Sequence, residues 1–360
     1  MIMKNNTIRK NREQTGQTLT ILWQPVPAKN ESEKETARIL RVYGNHPCFR
    51  LPDMIEGMPV TEIGPYCFSM SEPKVTGESF WFPFQPEKEA LPPSLSGRFV
   101  ESITLPASVT TLHNAAFYNC RKLHTLSVGS HIEAIGSDEF TNCSRLKNLI
   151  LRCHDAEATG LPLVLERIDT DLNVSFFPER KAEISSSESL SSDGNAQPCA
   201  ALFFPEYYEW LDEISPAHIF SRSIHGEGFR MRKCFQEKVL DYRKYDQCFE
   251  NALTVESEKS LCKISLNRLQ WPNHLEKEFR ILYENTVQKH FDTAFSLAVD
   301  NRDTHLLTFL STYFSLSPEE FSKGISLCIA ADWSSGAALL MEQKHRAGSF
   351  ANKTFDFDDF

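Results

Sequence analysis

The sequence lacks the long apolar runs that mark exported and membrane-spanning proteins. No segment approaches the ~20 consecutive apolar residues that a transmembrane helix needs. Residues 1–7 begin as a signal peptide does, but the apolar cluster behind them, residues 19–23, is too short for the core of one. We therefore expect no export by the usual route and no membrane span.

The sequence also lacks paired cysteine spacing. None of its ten cysteines forms a C-x-x-C pair, and most stand at apolar repeat or helix positions. Disulfides persist in oxidising compartments, whereas the cytoplasm keeps thiols reduced. We expect ten reduced thiols and a cytoplasmic protein.

Potential metal ligands occur in two groups, but neither has a convincing spacing. The groups are His113, Cys120 and His124, and Cys234, Cys248 and Cys262. In the first group Cys120 is expected to face the core while His124 opens a strand. In the second, intervals of 14 residues are about four helical turns, too far apart for one ion. We predict no metal site.

Catalytic and nucleic-acid-binding signals are missing as well. The chain has no G-x-S-x-G elbow, Walker-type loop, H-E-x-x-H motif or paired carboxylates. Its net charge is −10, whereas a general nucleic-acid binder needs a basic field to neutralise phosphates. These absences predict a protein that is not an enzyme, uses no cofactor and does not bind nucleic acid.

What the sequence does contain is a repeat of 23 residues. Segment 116–120 (AFYNC) recurs as segment 139–143 (EFTNC). The flanks keep the same register, because Leu105, Val109, Leu112 and Leu123 correspond to Val128, Ile132, Ile135 and Leu146. A period kept without a gap is typical of a solenoid, in which neighbouring coils bury each other's apolar faces.

A looser third copy lies upstream, at residues 51–68, with a short insertion at residues 55–58. The unit reads L-x-x-I-x-L-P-x-x-V-x-x-I-x-x-x-A/E-F-x-N-C-x-x-L. It resembles the BspA-type leucine-rich repeats of bacteria over about residues 40–153, and degenerate coils would extend it to 235. The resemblance implies a leucine-rich repeat β-solenoid of right-handed coils with a parallel β ladder.

The period also suggests domain limits. We assign residues 1–37 to an N-terminal extension that caps the solenoid, and residues 38–235 to the solenoid itself. An insertion interrupts it at 70–99, and a Ser-rich flexible loop is predicted at 182–199.

Two strand-like segments, 174–179 and 202–206, flank the Ser-rich loop. The second is expected to pair with the end of the ladder. This pairing would protect an open sheet edge, which is otherwise prone to pairing with other chains.

Residues 236–360 are predicted to form an α-helical domain, with the helical pattern clear from about Glu250. Segment 296–299 aligns with 326–329 at an offset of 30 residues. The residues Ser317, Pro318 and Glu320 make a good helix start. The helix pairs resemble ankyrin repeats, although the T-P-L-H-x-A signature is absent.

The outward face of the ladder is the predicted partner-binding surface. Side chains alternate along a strand, so one set projects away from the core. That set is Ser102, Thr104, Thr125, Ser127, Asn148 and Ile150. Because these positions alternate with apolar ones, stability does not require them.

The aromatic residues Phe80, Trp81 and Phe82 of the insertion are candidate anchors for a partner. They would lie beside the ladder face if the insertion were a binding loop. The alternative, which we favour, is that they pack back on the coil edge, because large exposed apolar patches are uncommon.

The segment 222–233 concentrates basic residues and glycines in an otherwise acidic chain. A phosphate or acidic segment could bind Arg222, His225, Arg230 and Arg232. The favoured alternative is a solvated junction whose arginines pair with Glu206, Glu209, Asp212 or Glu213.

These patterns favour a non-enzymatic protein-interaction or scaffold protein, monomeric, whose partner is another protein. Two rival functions are a cell-surface adhesin, since BspA-type repeats are frequent on secreted proteins, and a phosphate or nucleotide sensor that uses segment 222–233.

Overall fold

The computed structural model describes residues 19–28, 30, 34–87, 90–178, 197–214 and 219–351. The chain divides after Val255 into two compact units, Met1–Val255 and Glu256–Phe360. Residues 182–196 of the predicted flexible loop lie outside the described residues.

The described part of the first unit is built mainly of strands. In chain order they are β1 (Thr20–Val26), β2 (Thr36–Tyr43), β3 (Cys48–Arg50), β4 (Met54–Ile55), β5 (Met58–Ile63), β6 (Phe80–Phe82), β7 (Ser102–Thr104), β8 (Thr111–Leu112), β9 (Thr125–Val128), β10 (Ala134–Ile135), β11 (Asn148–Leu151), β12 (Leu172–Phe176), β13 (Ala200–Phe204), β14 (Tyr208–Ile214), β15 (Ile219–His225), β16 (Phe235–Gln236) and β17 (Val239–Leu240). Its helices are α1 (Leu161–Leu165), α2 (Gly228–Met231) and α3 (Tyr242–Val255).

One sheet is the predicted parallel ladder. Its strand order is β13-β12-β11-β9-β7-β3, and the neighbours from β3 to β12 are parallel. Thr125 pairs with Ser102 on one side and with Asn148 on the other, so equivalent repeat positions lie side by side. The sequence period therefore gave the correct register.

A second sheet forms the other wall of the coils. Its order is β10-β8-β5-β2-β1-β6, with parallel pairing from β2 to β10. Strand β1 pairs antiparallel with β2 and with β6, and it covers the edge of this sheet as a cap does. The insertion at 55–58 is a tight hairpin between β4 and β5, with positive φ at Glu56 and Gly57.

The core lies between the two sheets and repeats with the coil. The inward residues of the ladder are at most 5% exposed: Phe49, Ile103, Leu126, Leu149 and Val174. Phe117 stacks on Phe68 with ring centroids 5.2 Å apart and on Phe140 at 5.5 Å. These phenylalanines are equivalent residues one coil apart, as the sequence predicted.

Each coil turns through residues with left-handed backbone conformation. Asn119 and Asn142 have φ of 64° and 62°, and the Asn142 side-chain amide donates to the Asn119 side-chain oxygen at 2.8 Å. Asparagine tolerates this conformation better than most residues because its short polar side chain bonds locally. The N-C pair of the repeat therefore marks a turn that stacks through its amides.

The ladder ends in an antiparallel strand, as predicted. Strand β13 pairs with β12, with Phe176 opposite Ala200. Helix α3 packs at this end, where the Tyr245 hydroxyl donates to the Phe203 carbonyl at 2.5 Å. Helix α3 thus belongs to the first unit, whereas the sequence analysis began the helical domain at 236, because periodicity shows a helix but not the surface on which it packs.

Buried Arg41 holds the loop that follows β5. Its Nη1 donates to the carbonyls of Tyr66, Cys67, Ser69 and Ser71 at 2.7–3.3 Å. Carbonyl groups that leave a strand must find other donors when they are buried. A charged side chain is therefore built into the core of the first coil.

The second unit is helical in its described residues. Its helices are α4 (Glu258–Gln270), α5 (Lys277–Lys289), α6 (Phe291–Asp300), α7 (Thr304–Tyr313), α8 (Pro318–Ala330) and α9 (Ser334–Ala351). Helix α8 begins with the predicted capping box, in which the Ser317 hydroxyl accepts from the Glu320 amide and the Glu320 carboxylate accepts from the Ser317 amide.

The offset of 30 residues is visible in the turns between these helices. The Asp303 amide donates to the Ala298 carbonyl at 2.9 Å, and the Trp333 amide donates to the Cys328 carbonyl at 2.8 Å. Helix α6 packs against α7 and α8, and α8 packs against α9. The repeated turn supports a helix-pair array.

Candidate interaction surface

The outward face of the ladder carries small and polar side chains in two columns. Asn148 is exposed, whereas Ser102, Thr104, Thr125 and Ile150 are half-buried. Such a face is flat, hydrated and free of the large apolar patches that would promote aggregation. It offers hydrogen-bonding groups in a regular array.

Ser127 differs from its predicted exposure, because it is only 6% exposed. It pairs with Thr104 on one side and with Ile150 on the other. Both neighbours have larger side chains, which cover the short serine between them. Ser127 therefore contributes little accessible surface to the ladder face.

The face continues beyond the residues that the sequence predicted. Asn173 and Ser175 on β12 pair with Asn148 and Ile150 and are half-buried. Their partners on β13 are Phe203 and Ala201, which are buried. The alternation of β12 could have revealed Asn173 and Ser175, but the loss of the exact 23-residue period concealed their register.

A basic cluster lies at the edge of the ladder face. It consists of Lys122, His124, Arg145 and Lys147, all exposed, just before β9 and β11. Two pairs within it, Lys122 with Arg145 and His124 with Lys147, are 23 residues apart and so occupy equivalent coil positions. Lys122 lies 3.8 Å from the Glu101 carboxylate, so part of this charge is compensated.

The aromatic residues of the insertion lie elsewhere. Strand β6 pairs with β1, at the edge of the second sheet rather than the ladder. Phe82 is buried, Trp81 contacts Tyr43 at 5.6 Å between ring centroids, and Phe80 contacts Trp23 at 5.7 Å. The favoured alternative, packing on the coil edge, is confirmed, and these residues do not flank the ladder face.

The basic segment 222–233 spans β15 and α2. Arg222 forms an ion pair with Glu209 across the β14–β15 hairpin, and Arg230 Nη1 lies 3.2 Å from the Glu227 carboxylate. The His225 ring stacks on Tyr208 with centroids 4.9 Å apart. These contacts agree with the favoured reading of a junction with internal ion pairs.

Arg232, predicted as an anion ligand, is withdrawn from the surface and is 4% exposed. Its guanidinium donates to the carbonyls of Ile168, Thr170, Pro205 and Gly228 at 2.5–3.0 Å. Burial lowers the pKa of Arg232 to about 10, so it stays charged at neutral pH. Its donors hold the loop before β12 against α2 instead of facing a ligand.

The β14–β15 hairpin is an exposed feature that the sequence analysis did not identify as a surface. Tyr208, Trp210 and Leu211 are 59%, 55% and 66% exposed. Glutamates and aspartates between them concealed this group, because the segment reads as polar. Exposed aromatic side chains are frequent contributors to protein interfaces.

The cysteine and histidine groups also deserve correction. Cys120 Sγ donates to the Phe68 carbonyl and His113 Nε2 bonds the Glu62 carboxylate, so these two do not converge on an ion. Cys234 and Cys248, however, have their sulfurs 3.7 Å apart. The prediction that they lie four helical turns apart was wrong, because Cys234 precedes the β16–β17 hairpin while Cys248 lies on α3.

Within the described residues, every helix is too short or too polar to cross a bilayer. Residues 96–157 match the family model described as a BspA type leucine rich repeat region (6 copies). No curated protein and no solved structure matched the chain. The first unit therefore contains a BspA-type leucine-rich repeat region that forms a β-solenoid.

Proposed function

We propose that this is a non-enzymatic interaction protein of the cytoplasm that binds another protein through the outward face of its ladder. The observation that carries the proposal is the accessible array of Ser102, Thr104, Thr125 and Asn148 in register on consecutive coils. These side chains are not needed in the core. A regular row of hydrogen-bonding groups on a rigid sheet is a preorganised binding surface.

The basic cluster at the edge of this face favours a partner with an acidic surface. The chain carries a net charge of −10, so a local group of Lys122, Arg145 and Lys147 is a departure from the overall charge. Charges at the rim of an interface steer association more than they add affinity. We therefore expect partner binding to slow as the salt concentration rises.

The experiment compares partner capture by the wild-type chain and by a Thr125→Arg/Asn148→Arg variant, from an extract of the native host, with quantitative mass spectrometry. A matched control is Thr141→Arg, because Thr141 is exposed but lies on the Asn119 turn away from the ladder. The face variant should lose the captured proteins and the control should retain them. Equal capture by both, with unchanged circular dichroism, would contradict the proposal.

The same experiment tests whether the helical unit carries the binding instead. We propose that its helix pairs form an ankyrin-like array, supported by the 30-residue repeat of the Ala298–Asp303 and Cys328–Trp333 turns. Ile329 and Met341 are large and exposed on this unit. Loss of capture in an Ile329→Arg variant, with the ladder variant unaffected, would move the site there.

A further inference from the structure

Three potential metal ligands from distant parts of the chain meet at one end of the ladder. His154 and Asp155 follow β11, and Cys199 immediately precedes β13. The strands β11 and β12 run parallel and β13 runs antiparallel to them, so all three segments reach the same edge of the sheet. The Cys199 amide donates to the Phe176 carbonyl at 2.8 Å, which fixes the cysteine beside that edge.

The ligand atoms of these residues converge. His154 Nδ1 lies 2.9 Å and Cys199 Sγ 3.7 Å from the same carboxylate oxygen, Oδ1 of Asp155. All the ligand atoms of the group lie within 4.8 Å of one another. A tetrahedral zinc ion separates ligand atoms of these types by roughly 3.4–3.6 Å, as follows from its bond lengths. The geometry is therefore close to that of a three-ligand site, and a small rotation of the His154 ring suffices to reach it.

The surroundings resemble those of a built site rather than a chance surface group. The Asp155 side chain is only 2% exposed, and its second oxygen, Oδ2, accepts a hydrogen bond from the Tyr242 hydroxyl at 2.6 Å. Outer partners of this kind orient a ligand carboxylate. The His154 side chain is 54% exposed, so an ion can enter from solvent on that side.

We propose that His154, Asp155 and Cys199 bind a divalent transition-metal ion of the zinc type. One nitrogen, one oxygen and one sulfur suit zinc, whereas magnesium and calcium prefer ligands that are all oxygen. With three protein ligands, the fourth position is left for water or for a group from another molecule. The proposal is independent of the ladder face and goes beyond the interaction function.

The alternative role for these residues, a nucleophilic cysteine, fits less well. Burial raises the pKa of the Cys199 thiol above its ordinary value, and the Asp155 carboxylate raises it further. A catalytic thiol needs the opposite shift. The His154 nitrogen that approaches the group bonds Asp155, which leaves the cysteine without an adjacent base in this arrangement.

The test uses the full chain, kept reduced and freed of metal with a chelator, and Co²⁺ as the probe. One equivalent of Co²⁺ should produce a thiolate-to-cobalt charge-transfer band and the visible bands of a tetrahedral ion, and Zn²⁺ should displace both. The variants Cys199→Ser and His154→Gln should abolish the charge-transfer band and weaken binding at least about tenfold, respectively.

Matched controls are Cys48→Ser and His131→Gln, which change a partly exposed cysteine and an exposed histidine elsewhere. A third control, Cys248→Ser, removes one member of the close Cys234–Cys248 pair. All three should bind Co²⁺ as the wild type does. Absence of a charge-transfer band, or a band that survives Cys199→Ser or disappears in Cys248→Ser, would overturn the proposal. Because His154 is largely exposed, His154→Gln decides the matter if Cys199→Ser does not fold.

Discussion

Among single residues, Glu139 is the carboxyl group whose environment differs most clearly from water. It is 1% exposed, and one of its oxygens accepts from the Ala116 amide at 3.1 Å while the other has no hydrogen-bond partner. Burial raises the pKa of Glu139 to about 8. The side chain is therefore protonated in the folded protein at neutral pH, although the repeat position itself is apolar in the neighbouring coil, where Ala116 stands.

This carboxyl group predicts a pH dependence of stability. Between its unfolded pKa of about 4.3 and its folded pKa of about 8, the folded state holds a proton that the unfolded chain releases. The free energy of unfolding should therefore fall as the pH rises through this window, by about 3 kcal/mol between pH 5 and pH 8 relative to Glu139→Gln. Denaturation curves of both proteins at several pH values measure the difference, and parallel pH profiles would contradict the prediction.

The Asn119 turn allows strain and hydrogen bonding to be separated. Asn119→Ala removes the amide contact with Asn142 and forces alanine into a left-handed conformation, so it should cost about 2 kcal/mol. Asn119→Gly loses the same contact but adopts the conformation freely, and it should cost about 1 kcal/mol less. Urea denaturation of the two variants checks the order. Equal losses would show that backbone strain contributes nothing at this turn.

At the scale of the elements, the phenylalanine stack joins the coils. Phe117 is fully buried with a ring stacked on each side, whereas Phe140 stacks only on Phe117 among the ring contacts of the described residues. Truncation of either to alanine leaves a cavity and should cost about 3–5 kcal/mol, with Phe117→Ala the more costly.

Thermal unfolding of the first unit measures this difference. Phe84→Ala is the matched control, because Phe84 is 64% exposed and its truncation should change stability by less than about 0.5 kcal/mol. Near-wild-type stability of Phe117→Ala would mean that the stack does not hold the coils together.

At the scale of the whole molecule, the two units have different building principles but share a free-thiol chemistry. All ten cysteines have free thiols in the structure. Burial raises the pKa of the thiols of Cys143 and Cys262 to about 12, which makes them unreactive.

We predict that the native protein contains no disulfide. Alkylation of the native protein followed by mass spectrometry should find ten modified cysteines after denaturation without reductant. If oxidation occurs during storage, Cys234 and Cys248 should be the first pair to react, because their sulfurs are 3.7 Å apart. Two or more disulfides in freshly isolated protein would instead support the surface adhesin.

The sequence by itself determined the coil, because every contact within the solenoid recurs at a fixed offset. The pairing of Thr125 with Asn148 and the stacking of Phe117 on Phe140 follow from a period of 23 residues. The helix start at Ser317 was equally predictable, since a capping box uses residues three positions apart.

Only the tertiary structure decided the contacts between segments that share no period. Docking of β6 on β1, burial of Arg232 under four carbonyls and the meeting of Asp155 with Cys199 each join residues far apart in the chain. Such contacts depend on where a connecting segment returns to the solenoid. A local pattern contains no information on that point, because it records which face of an element is apolar and not which distant surface will cover it.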